Sequence, residues 1–250
     1  MITRRQLAMG TLSALALGAL GALGAFEGLT SHGGRAQAQT FSVLELEAKG
    51  ALDDVVMGSP TAPVTIIEYA SMTCPHCAHF ATETFPKLKE KYIDTGKVKY
   101  IMREYPLDRL AAAAFMLARC AGPDKYYPMI ETLFAEQSKW AVKEPLQPLL
   151  AIARQAGFTE ESFQACIRDK DLLDKIQQVR DRGQQKFKVE ATPTFYVNGE
   201  RFSGALSIEE IDKAVTPLLP KSENAGDAPK DEAPKDAPKE APKTDGAGKD

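Results

Sequence analysis

Val64-Thr65-Ile66-Ile67-Glu68-Tyr69-Ala70-Ser71-Met72-Thr73-Cys74-Pro75-His76-Cys77 is the stretch on which the fold turns. Val64 to Tyr69 is β-branched and apolar, the composition of a buried strand. After Cys77, Ala78, Phe80, Ala81 and Phe85 recur at helical spacing. The strand therefore runs straight into a helix whose N-terminus carries two thiols. Backbone N–H groups and the helix dipole favour a thiolate at such a place. His76, lying between the sulfurs, offers positive charge or a donor to the same thiolate. Two thiols so spaced can close a small disulfide and reopen it, which makes the pair a two-electron switch.

Other uses of the pair fit the sequence less well. Half a zinc site needs a second ligand pair, and the remaining cysteines, Cys120 and Cys166, are isolated. Cys74, His76, Cys77 and His79 fall within six residues and cannot readily surround one tetrahedral ion. Haem attachment needs His directly after the second Cys, where Ala78 stands. No metal and no cofactor beyond the redox disulfide is expected. A purely structural disulfide is the remaining alternative.

A second signal lies far down the chain. Ala191-Thr192-Pro193-Thr194-Phe195-Tyr196-Val197-Asn198-Gly199 reads as a proline, a strand and an Asn-Gly turn, with Arg201-Phe202-Ser203 returning. Asn-Gly between apolar runs is a strong hairpin signal, because both positions tolerate positive φ. A proline opening a strand costs no ladder hydrogen bond, and Pro193 has that plain role as one reading.

On Ser71–Cys77 and Thr192–Phe195 the chain resembles the thioredoxin superfamily, and within it the DsbA-like thiol:disulfide oxidoreductases. The resemblance covers roughly residues 52–218. It implies an α/β thioredoxin fold with an inserted all-helical domain. It implies that Pro193 is cis and packs beside the cysteine pair, where Thr192 and Pro193 dock the substrate chain. It makes Cys74, Pro75, His76 and Cys77 the catalytic motif of the oxidising branch. Cys74 would be the nucleophile and Cys77 the resolving thiol. The family also carries an acidic residue six positions before the first Cys, here Glu68. If buried, its pKa should rise, and it could move protons during exchange; an ordinary exposed strand Glu is the alternative.

The segment between the two thioredoxin halves has helical periodicity. Helices are expected over Leu107–Cys120, Lys125–Trp140, Leu146–Ala156, from the Thr159 N-cap to Ile167, and over Asp171–Phe187. Pro86 should kink or end the first helix. Trp140 reads as a packing residue and His79 as a residue on an accessible face. Four cysteines allow three pairings. Pairing Cys74 with Cys77 leaves Cys120–Cys166 as a structural bridge, with two free thiols as the alternative. DsbA-like proteins with a second, helical-domain disulfide favour the bridge, which would contribute roughly 3–4 kcal/mol in the chain-entropy account.

The ends read differently. Arg4-Arg5, the uncharged Leu7–Phe26 run and Ala36-Gln37-Ala38 read as a cleavable bacterial export signal over residues 1–38. The paired arginines resemble a twin-arginine signal; a general secretory signal and an uncleaved anchor are the alternatives. Residues 221–250 are nearly all Ala, Pro, Lys, Asp, Glu and Gly, with Ala-Pro-Lys recurring at Ala228, Ala233, Ala237 and Ala241. Such a segment should be disordered. With 6 Lys against 8 Asp/Glu there, it is no polybasic arm. The expected division is thus 1–38 signal, 39–105 first thioredoxin half, 106–188 helical insert, 189–220 second half and 221–250 tail.

Export implies an oxidising compartment, the periplasm. A formal net charge of −3 gives no reason to expect nucleic acid as a partner. The expected activity is disulfide formation in reduced or unfolded exported polypeptides. Reoxidation by a quinone-linked, DsbB-like membrane partner is implied by the resemblance, and a monomer is expected. Thr192 keeps an isomerase or reductase open, because Thr precedes the proline in isomerase relatives too. A non-catalytic thioredoxin-fold chaperone is the third class.

Overall fold

The computed structural model of the protein describes residues 40–220. The expected export signal and tail lie outside the described residues. In chain order the elements begin with helix α1 (Val43–Glu47), strand β1 (Val56–Met57) and strand β2 (Val64–Ala70). Helices α2 (Pro75–His79) and α3 (Phe85–Leu88) follow, each continued by a π-helical turn, Phe80–Thr84 and Lys89–Ile93. After β3 (Val98–Glu104) come six helices: α4 (Arg109–Cys120), α5 (Pro123–Ala135), α6 (Gln137–Trp140), α7 (Leu146–Gln155), α8 (Glu160–Ile167) and α9 (Lys170–Phe187). Strands β4 (Thr194–Val197) and β5 (Glu200–Ser203), helix α10 (Ile208–Val215) and a 3₁₀ turn (Thr216–Leu218) complete the described chain.

The strands form one mixed sheet in the order β1-β3-β2-β4-β5. β2 pairs in parallel with β3 and antiparallel with β4, so it lies in the middle. All seven of its residues are buried, as a central strand covered on both faces requires. Side chains alternate across a strand, and the two cores divide accordingly. Val64, Ile66 and Ala70 pack with the cysteine pair, Phe80, Tyr100 and the helical insert. Ile67 and Tyr69 pack on the other face with Leu46, Tyr105, Phe187 and Tyr196. Glu68, in step with Ile66 and Ala70, projects toward the cysteine side.

The Asn198-Gly199 turn has φ of 43° and 93°, as the hairpin reading requires. A Cβ at Gly199 would collide with the Phe41 carbonyl oxygen, and the Gly199 carbonyl accepts the Phe41 N–H at 2.8 Å. The N-terminal segment is thereby tied to the β4–β5 turn. The Thr192–Pro193 peptide bond is cis.

Pro86 does not end its helix. The chain stays helical from Pro75 to Ile93, and a π turn immediately precedes α3. A wider turn absorbs the N–H that proline lacks and relieves the ring's clash with the preceding carbonyl. The expected Lys125–Trp140 helix is broken at Glu136 into α5 and α6. Trp140 is buried, and its indole N–H donates to the Leu133 carbonyl at 2.7 Å. α4 starts two residues after the expected Leu107, at an Asp108 cap whose carboxylate accepts the Ala111 N–H at 2.7 Å.

Cys120 and Cys166 are joined, with Cα atoms 6.2 Å apart. The bridge links the end of α4 to α8 within the insert. Among the described residues no helix is long and apolar enough to cross a membrane.

Candidate active site

Cys74 is the N-cap of α2, in extended conformation, and Pro75 supplies the first helical residue. Proline suits that position because its absent N–H would be unpaired there anyway. The two sulfurs are not equivalent. Cys74 is 6% exposed and Cys77 fully buried. Both are thiols in this structure.

The Cys74 pKa is lowered to about 5. The Cys77 thiol, donating to it, is the largest cause; desolvation opposes, and Thr192 and the N–H groups of Cys77 and His76 add to the stabilisation. As a thiol, Cys74 donates to the Thr192 carbonyl at 3.3 Å. The Thr192 hydroxyl is buried with no partner, and is the donor that a thiolate would take. Cys77 is pushed far the other way, first by burial, then by its bond to Cys74 and the charges of Glu68 and Cys74. One low and one high sulfur is the arrangement of a nucleophile and a resolving thiol.

His76 is exposed, and it is its main-chain N–H that bears on the sulfur. His79 is exposed, on the accessible face expected of it.

Glu68 is fully buried. Its pKa is raised to about 8, chiefly by desolvation, against a hydrogen bond from Tyr100 and with a further rise from Cys74. The Tyr100 hydroxyl donates to Oε2, while Oε1 has no partner. The exposed-strand alternative for Glu68 does not hold, because β2 is central. Tyr100 itself carried no motif. Its position two residues into β3, on the face in register with Ile66, was the available signal.

The Phe80 and Phe195 rings, with centroids 4.6 Å apart, hold the strand after Pro193 against the helix after Cys77. The Gly204 N–H donates to the Pro193 carbonyl at 2.9 Å. Gln137, on α6 of the insert, escaped the sequence reading. Its amide donates to the Met72 carbonyl at 2.8 Å and the Cys74 carbonyl at 3.1 Å. The insert therefore grips the catalytic loop directly. Nothing in helical periodicity singles out such a side chain. Among the described residues there is no group of three or more His, Cys, Asp or Glu that could hold a metal ion.

Comparison with known proteins agrees with this geometry. The Thioredoxin family model matches residues 51–216. A protein-disulfide oxidoreductase of Rickettsia bellii is 32% identical over 174 residues, 69% of this chain and 67% of that protein. Its Rickettsia felis counterpart is 33% identical over 67% of this chain and 60% of its own length. The chain thus spans about three fifths to two thirds of such relatives. The crystal structure of Wolbachia pipientis α-DsbA1 is 34% identical, with a TM-score of 0.63, over 66% of this chain and 90% of that one. BdbD from Bacillus subtilis, at 23% identity and a TM-score of 0.61 over 73% of this chain and 96% of that one, shares the fold. With a buried thiol pair at a helix N-terminus, a cis-proline strand beside it and a helical insert gripping the catalytic loop, this chain belongs to the thioredoxin family, in its DsbA-like branch of thiol:disulfide oxidoreductases.

Proposed function

We propose that the protein is an exported dithiol oxidase that introduces disulfides into reduced periplasmic polypeptides. The observation that carries this is the opposed pair of thiols, with Cys74 held near pKa 5 and Cys77 buried and neutral. A stabilised Cys74 thiolate stabilises the reduced enzyme, so the oxidised enzyme accepts electrons readily. In the forward cycle a substrate thiolate attacks Cys74 of the Cys74–Cys77 disulfide. A substrate–Cys74 bond forms, and Cys77 leaves and takes up a proton. The second substrate thiolate attacks the substrate sulfur of that mixed disulfide, and Cys74 departs as a thiolate. The substrate has lost two electrons and the enzyme has gained them. Reoxidation reverses the polarity and requires Cys77 to lose its proton. Glu68, with a pKa of about 8, is the buried base for that step.

In this reading Thr192 and Pro193 dock the extended substrate chain. Residues 1–38 direct export, 39–105 and 189–220 form the thioredoxin halves around the 106–188 insert, and 221–250 is a solubilising spacer. A quinone-linked membrane partner takes the electrons.

The test is the reduction potential of the Cys74–Cys77 pair in glutathione buffers, with Cys120 and Cys166 intact. A value on the order of −120 mV, as for DsbA, is expected. A value near −270 mV, about that of thioredoxin, would point to a reductase. Thr192 keeps isomerisation open as a second reading, and catalysed refolding of a scrambled-disulfide protein separates the two.

A further inference from the structure

Beside the catalytic face, α4 and α9 leave a groove of about 630 Å³ between them. Its near rim is the Pro106–Asp108 turn that follows β3. This rim is tied to the catalytic loop at two points. The Leu107 N–H donates to Ser71 Oγ at 3.2 Å, and Thr73 Oγ1 donates to the Asp108 carboxylate at 2.7 Å. Thr73 is the residue before Cys74, so the groove opens next to the nucleophile.

The groove is apolar below and cationic along its walls. Ala112, Met116 and Leu173 line it, and Leu107 stands at its rim, 54% exposed. Arg109 on α4 and Arg180 on α9 supply the charge. Among the described residues neither arginine has a salt bridge. Two other arginines of the fold are used differently: Arg103 holds Asp54 and Arg119 holds Glu104. Arg180 Nε is buried with no acceptor, and its guanidinium lies 5.7 Å from the Tyr105 ring centre. A buried donor left unpaired costs the desolvation of a hydrogen bond, more so for a charged group. The neighbouring carboxylates do not relieve it. Asp108 is occupied by Thr73 and the Ala111 N–H. Among the described residues Asp181 and Glu190 form no salt bridge with Arg180.

We propose that this groove receives an acidic segment of the polypeptide that is joined to Cys74 in the mixed disulfide. The inference rests on the exchange reaction proposed above and deepens it by naming a substrate preference. Continuity carries the assignment, because the groove shares its rim with the loop that presents Cys74. A chain docked across Thr192–Pro193 and continuing past Thr73 enters the groove. There the apolar floor takes an aliphatic side chain and the two guanidinium groups take a carboxylate, as Arg does in bidentate pairs. The contribution biases substrate choice and does not gate the reaction, since partly exposed ion pairs are individually weak.

The experiment is oxidation of two-cysteine peptides by the oxidised protein, with Glu or Gln placed in turn at each position flanking the reactive cysteine. At one or two positions the Glu peptide should show about a fivefold higher kcat/KM than its Gln counterpart at low salt, and the preference should shrink with added salt. Arg109→Gln and Arg180→Gln should each bring that ratio toward one. Should Arg180→Gln fail to fold, Arg109→Gln, on the exposed rim, decides alone. Equal rates for Glu and Gln at every position would overturn the groove assignment and leave the oxidase reading standing. Oxidation of no peptide at all would overturn the oxidase reading and take this inference with it. If Arg109→Gln slowed only reoxidation by a quinone-linked membrane partner and left the peptide preference intact, the groove would belong to that partner and the substrate assignment would fall.

Discussion

Cys74 Sγ lies 3.3 Å from the main-chain oxygen of Thr192, a residue 118 positions further along the chain. The low-pKa thiol and the cis-proline strand are thus one unit, assembled by the β2–β4 pairing. The buried, unpartnered Thr192 hydroxyl beside them gives that unit a donor for the thiolate. Thr192→Val removes the donor at nearly constant volume. The Cys74 pKa should rise by roughly one unit, since a hydrogen bond to a charged group is worth about 1.5–3 kcal/mol. Thiolate absorbance at 240 nm across a pH titration reads this directly; an unchanged midpoint would show that the hydroxyl takes no part.

The thiolate also links redox state to pH. Cys74 has a folded pKa lowered to about 5 from an ordinary value of 9.0. A lowered pKa stabilises the reduced fold fully above the unfolded value, and that stability is lost as pH falls through the folded value. The reduced protein should therefore be the more stable redox form at pH 8 and lose that advantage as pH falls toward 4. Urea denaturation of both forms across this range is the check.

Glu68 acts with the opposite sign. Its pKa is raised to about 8 from 4.5, so its ionisation is resisted in the fold, and stability falls as pH rises from about 4.5 toward 8. Glu68→Gln keeps a hydrogen-bond acceptor for Tyr100 and cannot ionise. The reduced variant should gain roughly 2–4 kcal/mol over the native protein at pH 8, and little at pH 4. Reoxidation of its Cys74–Cys77 pair should slow at least tenfold, because Cys77 loses its proton acceptor. Stopped-flow reoxidation and equilibrium unfolding test the two halves separately.

The roles of the two thiols separate in single variants. Cys74→Ser should abolish exchange with peptide thiols. Cys77→Ser should accumulate mixed disulfides with substrate, visible as higher-mass species on non-reducing gels. Absence of trapped species in the second variant would count against the assignment of Cys77 as the resolving thiol.

Gln137 and the Cys120–Cys166 bridge test the insert. Gln137→Ala removes two hydrogen bonds to catalytic-loop carbonyls and should cost about 1–3 kcal/mol of stability. It should also broaden the amide resonances of residues 72–74. Replacing both Cys120 and Cys166 with Ser should cost roughly 3–4 kcal/mol in urea denaturation, from the 46-residue loop the bridge closes. Peptide oxidation should persist under conditions where that variant remains folded.

The sequence disclosed the parts of this site that local patterns encode. The strand before Cys74, the Asn198-Gly199 turn and the helix after Cys77 each follow from side-chain periodicity or from φ tolerance. The position of Glu68 followed from family likeness, and its burial from the apolar residues around it. Tyr100 and Gln137 were not legible, because each acts through a contact made only in three dimensions. Tyr100 looks like any other aromatic strand residue until Glu68 is found beneath its hydroxyl. Gln137 looks like an exposed helix residue until α5 breaks at Glu136 and turns α6 toward the loop. The π turns before and after α3 were hidden for a related reason: Pro86 signals a helix stop, and nothing in the local pattern announces the wider turn that lets the helix continue.

The β2–β4 pairing has a consequence for the order in which the site comes into being. β2 finds its parallel neighbour β3 about thirty-four residues away, but its pairing with β4 spans some 130 residues and encloses the whole insert. Closing so long a loop is entropically costly and comes late in folding. During synthesis Cys74 emerges with Cys77 and His76 beside it but long before Thr192, so one of the groups that depress its pKa is still missing. The nascent pair therefore lacks the Thr192 contribution to its thiolate, and the site is complete only when the last strands are laid down.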